Sequence, residues 1–262
     1  RVSAGRAQRR SRFRHRYLRV ALLLGLALLL PPLATAAPAE GVAVRQVLDG
    51  DSVILADRRQ VRLIGINAPE FARDGRPDEP LAAAARDRLR ELVQGKGVRL
   101  VLGDEQRDHY GRWLAHLELP DGTSVEEILL QEGLASAIAI PPNVSRWRRL
   151  FDAESGARLA RRGLWGLAYS TPVPAESLVS AHTGFRFVRG RVTHVGHSRK
   201  YVYLDMGPQF AVRIGHADWK QHFRGRPEDW RGAQIGARGW ISEQNGRLHM
   251  GIGHPAMLQR LP

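Results

Sequence analysis

The chain has 262 residues and a formal net charge of +14, enough length for one large domain or two small ones, each with its own core. It contains no cysteine, which excludes disulfides and a lipid-modified Cys, so the fold must hold by its core alone. The charge is uneven: residues 1–36 carry eight of the 40 Lys+Arg and no acid, leaving 32 against 26 Asp+Glu, or +6, in the rest. A mildly basic body fits an anionic partner such as nucleic acid.

Residues 1–36 read as a secretory signal peptide. Arg9 to Arg19 form a basic opening, Val20 to Leu30 an unbroken apolar run, and Ala34-Thr35-Ala36 a small-x-small cleavage site. The run is shorter than the roughly 20 residues that span a bilayer. The pattern predicts export to the periplasm or the medium; an uncleaved anchor is the alternative.

After a short linker, 37–41, alternation predicts strands at 42–48, 52–55 and 60–66, joined by tight turns in an antiparallel meander. A polar loop, 71–79, leads to a helix that Pro80 opens, running to about Val93 with Leu81, Ala85, Leu89 and Leu92 on one face. Strands follow at 98–102 and 113–119. Ser124 heads a helix to Glu132, with Glu126 and Glu127 in its favourable first turn. Ser145 is expected to cap a longer helix to about Arg162, its apolar stripe broken at Glu154. Residues 167–184 resemble an interdomain linker. The C-terminal unit, 185–262, offers strands at 185–195, 201–205, 210–214, 234–242 and 247–252, with a helical or irregular insert at 216–232. Three strands, an insert and two strands is the order of an OB-type barrel. No residue-level repeat relates the halves.

The chemistry concentrates in a few short segments. Asp49-Gly50-Asp51-Ser52 is a turn with two acids. Arg62 interrupts an apolar strand and shares a face with Ile64 and Ile66; a cation on a half-buried wall is costly unless paired or used. Pro69 fixes the backbone ahead of Glu70, a carboxylate placed to orient and deprotonate water. In Asp108-His109-Tyr110-Gly111-Arg112 a turn sends Arg112 into the next strand. Two guanidiniums can fork onto phosphate oxygens, and that contact strengthens as charge builds in a pentavalent transition state. The set suits attack by water on a phosphodiester.

These segments, with Arg62 to Glu70, Glu132-Gly133-Leu134-Ala135 and Gly163-Leu164-Trp165-Gly166, resemble the staphylococcal nuclease, or thermonuclease, family over about residues 42–166. The resemblance implies an OB barrel over these residues; with the second, smaller OB-like barrel read from the C-terminal strand order, the expected fold is α+β, mainly β. The resemblance implies Arg62, Glu70 and Arg112 as catalytic residues, Glu70 being the general base. It implies Tyr110 at a neighbouring phosphate; His109 stands beside it where the family has Lys, and no proton-transfer role is assigned to it. The resemblance implies Ca²⁺ held by Asp51, the Asn67 position and the Ala68 backbone carbonyl, and DNA or RNA as substrate, cleaved to 3′-phosphates.

Two departures matter. Asn67 stands where the family has a second metal carboxylate, which predicts weaker Ca²⁺ binding. Residues 135–141 hold no aromatic where the best-known member stacks its substrate on tyrosines, and such stacking contributes roughly 1–3 kcal/mol per base. The alternative reading is therefore a catalytically weak or inactive nucleic-acid-binding protein of the same fold. In the C-terminal unit, Arg186, Arg189, Arg191, Arg199 and Lys200 interleave with Phe187, Tyr201 and Tyr203, as a nucleic-acid platform or as a solvated face over a core. His194 and His197, in H-x-x-H spacing at a strand end, have no matched acids or cysteines, which argues against zinc.

Overall fold

A computed structural model of the protein describes residues 41–262, apart from 73, 74 and 76. The signal-peptide reading therefore lies outside the described residues. Among the described residues no helix is long and apolar enough to cross a membrane.

Five strands close the first barrel: β1 (Val42–Val47), β2 (Ser52–Leu55), β3 (Gln60–Leu63), β5 (Gly97–Arg107) and β6 (Trp113–Glu118), in the order β1-β2-β3-β6-β5. β3 and β6 run parallel, and the other neighbours are antiparallel. Alternation drives the closure: Val44, Val53, Leu55, Val61, Leu63, Val98, Ala115 and Leu117 all point inwards and are buried. Burying each large aliphatic side chain stabilises the fold by about 1.5–3 kcal/mol.

The strand expected at 60–66 divides. Gly65 adopts φ +80° and a Cβ there would meet Leu150 at 2.2 Å, so the chain bends and starts a new strand, β4 (Ile66–Asn67). β4 pairs antiparallel with β7 (Ser136–Ala137), Asn67 opposite Ser136. The strand expected at 98–102 extends to Arg107 across a register irregularity.

Three helices flank the barrel. α1 (Ala82–Val93) begins two residues after Pro80, because Leu81 takes a left-handed conformation at φ 69°. α2 (Val125–Gln131) starts as expected, its Glu127 N–H donating to the Ser124 hydroxyl. α3 (Trp147–Leu159) corrects the expected cap: Arg146 is the N-cap, no side chain caps the helix, and it stops before Arg162. The paired Gly133 and Gly163 explain two family-like segments. Both have positive φ, and a Cβ on either would lie within 2.3 Å of the other segment's backbone carbonyl oxygen.

Residues 167–184 carry 3-10 turns and a two-residue strand, β8 (Val173–Pro174), with Ala175 and Leu178 buried. The C-terminal strands are β9 (Gly184–Arg191), β10 (His194–His197), β11 (Tyr201–Asp205), β12 (Phe210–Gly215), β13 (Gln234–Gln244), β14 (Arg247–Gly251) and β15 (Leu258–Arg260), with α4 (His216–His222) between β12 and β13. The hydrogen-bonded order is β10-β11-β12-β14-β13-β9-β8, with β15 on β13. β9 and β10 are separated only by Val192 and Thr193, so the path leaves one half of a bent run and returns to the other. β12 and β14 are parallel, as β3 and β6 are in the first barrel. The strand order of the second sheet thus repeats that of the first. Both sheets lie within one compact unit.

The two cores meet. Ile138, Ala139, Ala157 and Trp165, from the first part of the chain, pack into the second core with Phe187, Val188 and Met257. Arg238 of β13 lies at this seam. It is 7% exposed, donates to Glu154 at 2.7 Å and to the Ala137 carbonyl at 3.1 Å, and has Phe151, Trp165 and Phe187 rings within 6 Å of its guanidinium. Glu154 is no break in the α3 stripe but a buried partner, and it also accepts from the Ala137 N–H at 2.8 Å.

Candidate active site

Asp51 is the centre of the site. The turn before β2 is tight because Asp49 Oδ1 accepts the Asp51 N–H at 3.0 Å. It is close because Gly50 has no side chain: a Cβ there would sit 2.6 Å from Ala68 and 2.7 Å from Ala85. The Asp51 carboxylate is buried, 2% exposed. Its Oδ2 accepts the Ala68 N–H at 2.7 Å and faces Arg62 Nη2 at 3.0 Å, while its Oδ1 accepts from the Ser52 hydroxyl. Burial pushes the Asp51 carboxyl up to about 7, and the neighbouring Asp49 and Glu70 charges add to the rise, against the opposing pull of Arg62 and the Ala68 amide.

Arg62 is fixed at both ends of its guanidinium. Nη1 donates to the carbonyls of Leu63 (2.7 Å) and Ile66 (3.0 Å), and Nη2 pairs with Asp51. The half-buried cation on the barrel wall thus has the partner its cost requires. Asn67 is buried on β4, next to Ala68. Glu70 follows the buried Pro69 and is exposed.

Arg112 stands one residue before β6. The β3–β6 register, Arg62 opposite Leu114, puts it two residues along the neighbouring strand from Arg62's partner. Asp108 holds it: Oδ2 accepts Arg112 Nε at 2.7 Å, and Oδ1 accepts the N–H groups of Tyr110 and Arg112. That role of Asp108 is visible in hindsight in the Asp-x-x-x-Arg spacing. Burial alone would raise the Asp108 carboxyl, but its bonds to Arg112 prevail and hold it below the ordinary carboxylate range. At the tip of the turn Tyr110 is 74% exposed, and its ring lies 3.7 Å from that of His109.

The structure therefore brings Asp51, Arg62 and Ala68 into direct contact, sets Asn67 beside them, and holds Arg112 at the entry to the adjacent strand. His109 and Tyr110 form an exposed pair beyond Arg112. Among the described residues no three His, Cys, Asp or Glu side chains group as a metal cage. The local side-chain donors are nevertheless oxygens: the buried Asp51 carboxylate, with Asp49 and Glu70 close enough to raise it, and the neighbouring Asn67 amide. Such a set fits a hard cation that keeps water or substrate oxygens in its shell.

Elsewhere, Phe187 belongs to the core, whereas Arg189, Arg191, Arg199 and Lys200 are exposed. Tyr201 and Tyr203 alternate with buried Val202 and Leu204, and the Arg213 guanidinium lies 4.7 Å from the Tyr201 ring. His194 and His197 make separate contacts, with Asp205 and Glu228.

An OB barrel with a buried aspartate, an anchored arginine and a carboxylate on the following turn defines a class of barrel phosphodiesterases. The family model described as staphylococcal nuclease homologue matches residues 60–166. A thermonuclease of Staphylococcus intermedius is 34% identical over 130 residues, 48% of this chain and 76% of that protein. A thermonuclease of Staphylococcus hyicus is 30% identical over 47% of this chain and 73% of its own length. An uncharacterized endonuclease of Escherichia coli O157:H7 is 36% identical over 50% of this chain and 79% of its own. The chain belongs to the staphylococcal nuclease family, and its activity class is that of a nuclease, a hydrolase. The family model begins inside the barrel, at β3; Asp51 and the first two strands precede it.

Proposed function

We propose that the protein is an exported, Ca²⁺-dependent nuclease that hydrolyses phosphodiester bonds of DNA or RNA. The observation that supports this most is the meeting of Arg62 and the amide of Ala68, two residues before Glu70, at one buried oxygen of Asp51. Export rests on the N-terminal pattern.

In this reading Glu70 accepts the proton of the attacking water. Arg62 and Arg112 receive the phosphate oxygens as negative charge grows on them, and their prior anchoring means that little reorganisation is needed at that moment. Asp108 anchors Arg112 through its Nε and spends its own charge on that guanidinium. Asp51, Asn67 and the Ala68 carbonyl would hold the calcium, whose chemistry is to offset phosphate charge. Tyr110 and His109, exposed beyond Arg112, meet the neighbouring phosphate. Arg213 with Tyr201 and Tyr203 gives the second barrel a basic, aromatic outer face suited to a single strand.

The second reading, a binding protein with little catalysis, is favoured by Asn67 and by residues 135–141, where the one large exposed side chain is Ile140. Cleavage of denatured DNA with calcium and with chelator, for the wild type and Glu70→Gln, separates the two. A nuclease loses about 10²–10⁴-fold in kcat in the variant. A folded wild type that cleaves nothing in Ca²⁺, Mg²⁺ or Mn²⁺ leaves binding as the function.

A further inference from the structure

The loop that carries Glu70 is closed at its neck by Glu79. The Glu70 N–H donates to Glu79 Oε2 at 3.0 Å, and the Glu79 N–H donates back to the Glu70 carbonyl at 2.9 Å. A further rung, the Ala72 N–H to Asp78 Oδ1 at 2.7 Å, lies just inside. Glu79 is in turn held from outside the family-matched region. The Tyr169 hydroxyl donates to Glu79 Oε2 at 2.9 Å, and Arg186 Nη1 faces Oε1 at 3.7 Å. Tyr169 sits in the 3-10 turn at Ala168–Ser170, and Arg186 on β9. Burial, then the Glu79 charge, pushes the Tyr169 phenol above its ordinary range, so it stays protonated and a donor.

One carboxylate oxygen thus receives both the backbone of Glu70 and the phenol of Tyr169. Moving Tyr169 moves Glu79, and moving Glu79 moves the residue whose carboxylate must meet a water. Catalysis is sensitive to such shifts: a displacement of about 1 Å can cost 100-fold. We propose that Tyr169 and Arg186 are positioning residues that set the place of Glu70 through Glu79, so that the C-terminal part of the chain is a working part of the nuclease site. This rests on Glu70 being the general base.

The test uses the whole protein and the variants Tyr169→Phe, Arg186→Met and Glu79→Gln, each checked for an unchanged far-UV spectrum. The expected result for Tyr169→Phe is a kcat about tenfold lower with KM within twofold, and faster amide exchange at Glu70 and Glu79. In a Glu70→Gln background the same change should leave the residual rate unaltered, since the base it positions is gone. An unchanged kcat with unchanged exchange overturns the proposal. So does an equal loss in the Glu70→Gln background, which would mean a general structural effect. A wild type that cleaves nothing removes the nuclease reading itself and this proposal with it. That outcome is recognised by the absence of any rate to compare, not by a rate that fails to change.

Discussion

At the scale of single residues the site turns on what each side chain of a pair costs alone. Asp51 is buried, with Arg62 and the Ala68 amide on one oxygen, and Asn67 beside it supplies a carbonyl oxygen but no charge. Asn67→Asp adds one negative charge among the ligands proposed for the cation and is isosteric. It should lower the calcium concentration for half-maximal cleavage by about tenfold, the lower end of what ligand-shell changes do in metal sites; a calcium titration of cleavage rate checks it. Asp108 provides a pH test. Its folded-state pKa lies below its unfolded value, so its bond to Arg112 contributes stability that is present above the ordinary carboxylate range and is lost as pH falls through the lowered pKa. Asp108→Asn should therefore lower the melting temperature near neutral pH and flatten its fall in acid, with the two proteins converging at the acid end. Arg62 and Glu70 stand out in the sequence because each breaks a local rule, a charge in an apolar strand and an acid after a turn-fixing proline, whereas Asp51, an ordinary turn acid, and Asn67 enter only through the family resemblance. Glu79 breaks no rule. It is an acid in a polar loop nine positions from Glu70, and only the folded neck shows that the two are joined.

At the scale of elements the same contrast recurs. The barrel strands and α1 were legible from alternation and helical spacing, because one face of each is buried. β4 and β7, two residues each, have no periodicity to read; they exist because Gly65 turns the chain and Asn67 lies opposite Ser136. Glu154 looked like a flaw in α3 because its partner is 84 positions away. Arg238 and Glu154 tie α3, β7 and β13 together, and β7 pairs with the strand that carries Asn67. Removing one member of a buried pair leaves an uncompensated charge, which costs about 3–5 kcal/mol. Arg238→Met should therefore destabilise the protein by that amount in urea unfolding. The double variant Arg238→Met with Glu154→Leu should recover much of the loss. If the single variant unfolds like the wild type, the pair carries no structural weight.

At the scale of the whole molecule the chain uses one strand order twice, each time with the third strand parallel to the fifth, β3 to β6 and β12 to β14. The residues of the barrel and of the C-terminal sheet show no matching repeat, because strand order is set by where turns and inward faces fall and many sequences satisfy the same alternation. What sequence spacing could not show is that the barrel and the C-terminal sheet share apolar surface. Ile138, Ala139, Ala157 and Trp165 are covered by the second core, and Trp165 meets Phe187 edge to face at a centroid distance of 5.4 Å. Ending the chain after residue 166 would expose these side chains and leave Glu154 without Arg238. Each large side chain returned to water costs about 1.5–3 kcal/mol, and domains are stable by only about 5–15 kcal/mol. The shortened protein should melt well below the whole chain and bind a hydrophobic dye, although it retains every residue of the Asp51 cluster. A fragment that melts with the full protein would mean that the first barrel is self-sufficient and that the seam contributes nothing to its stability.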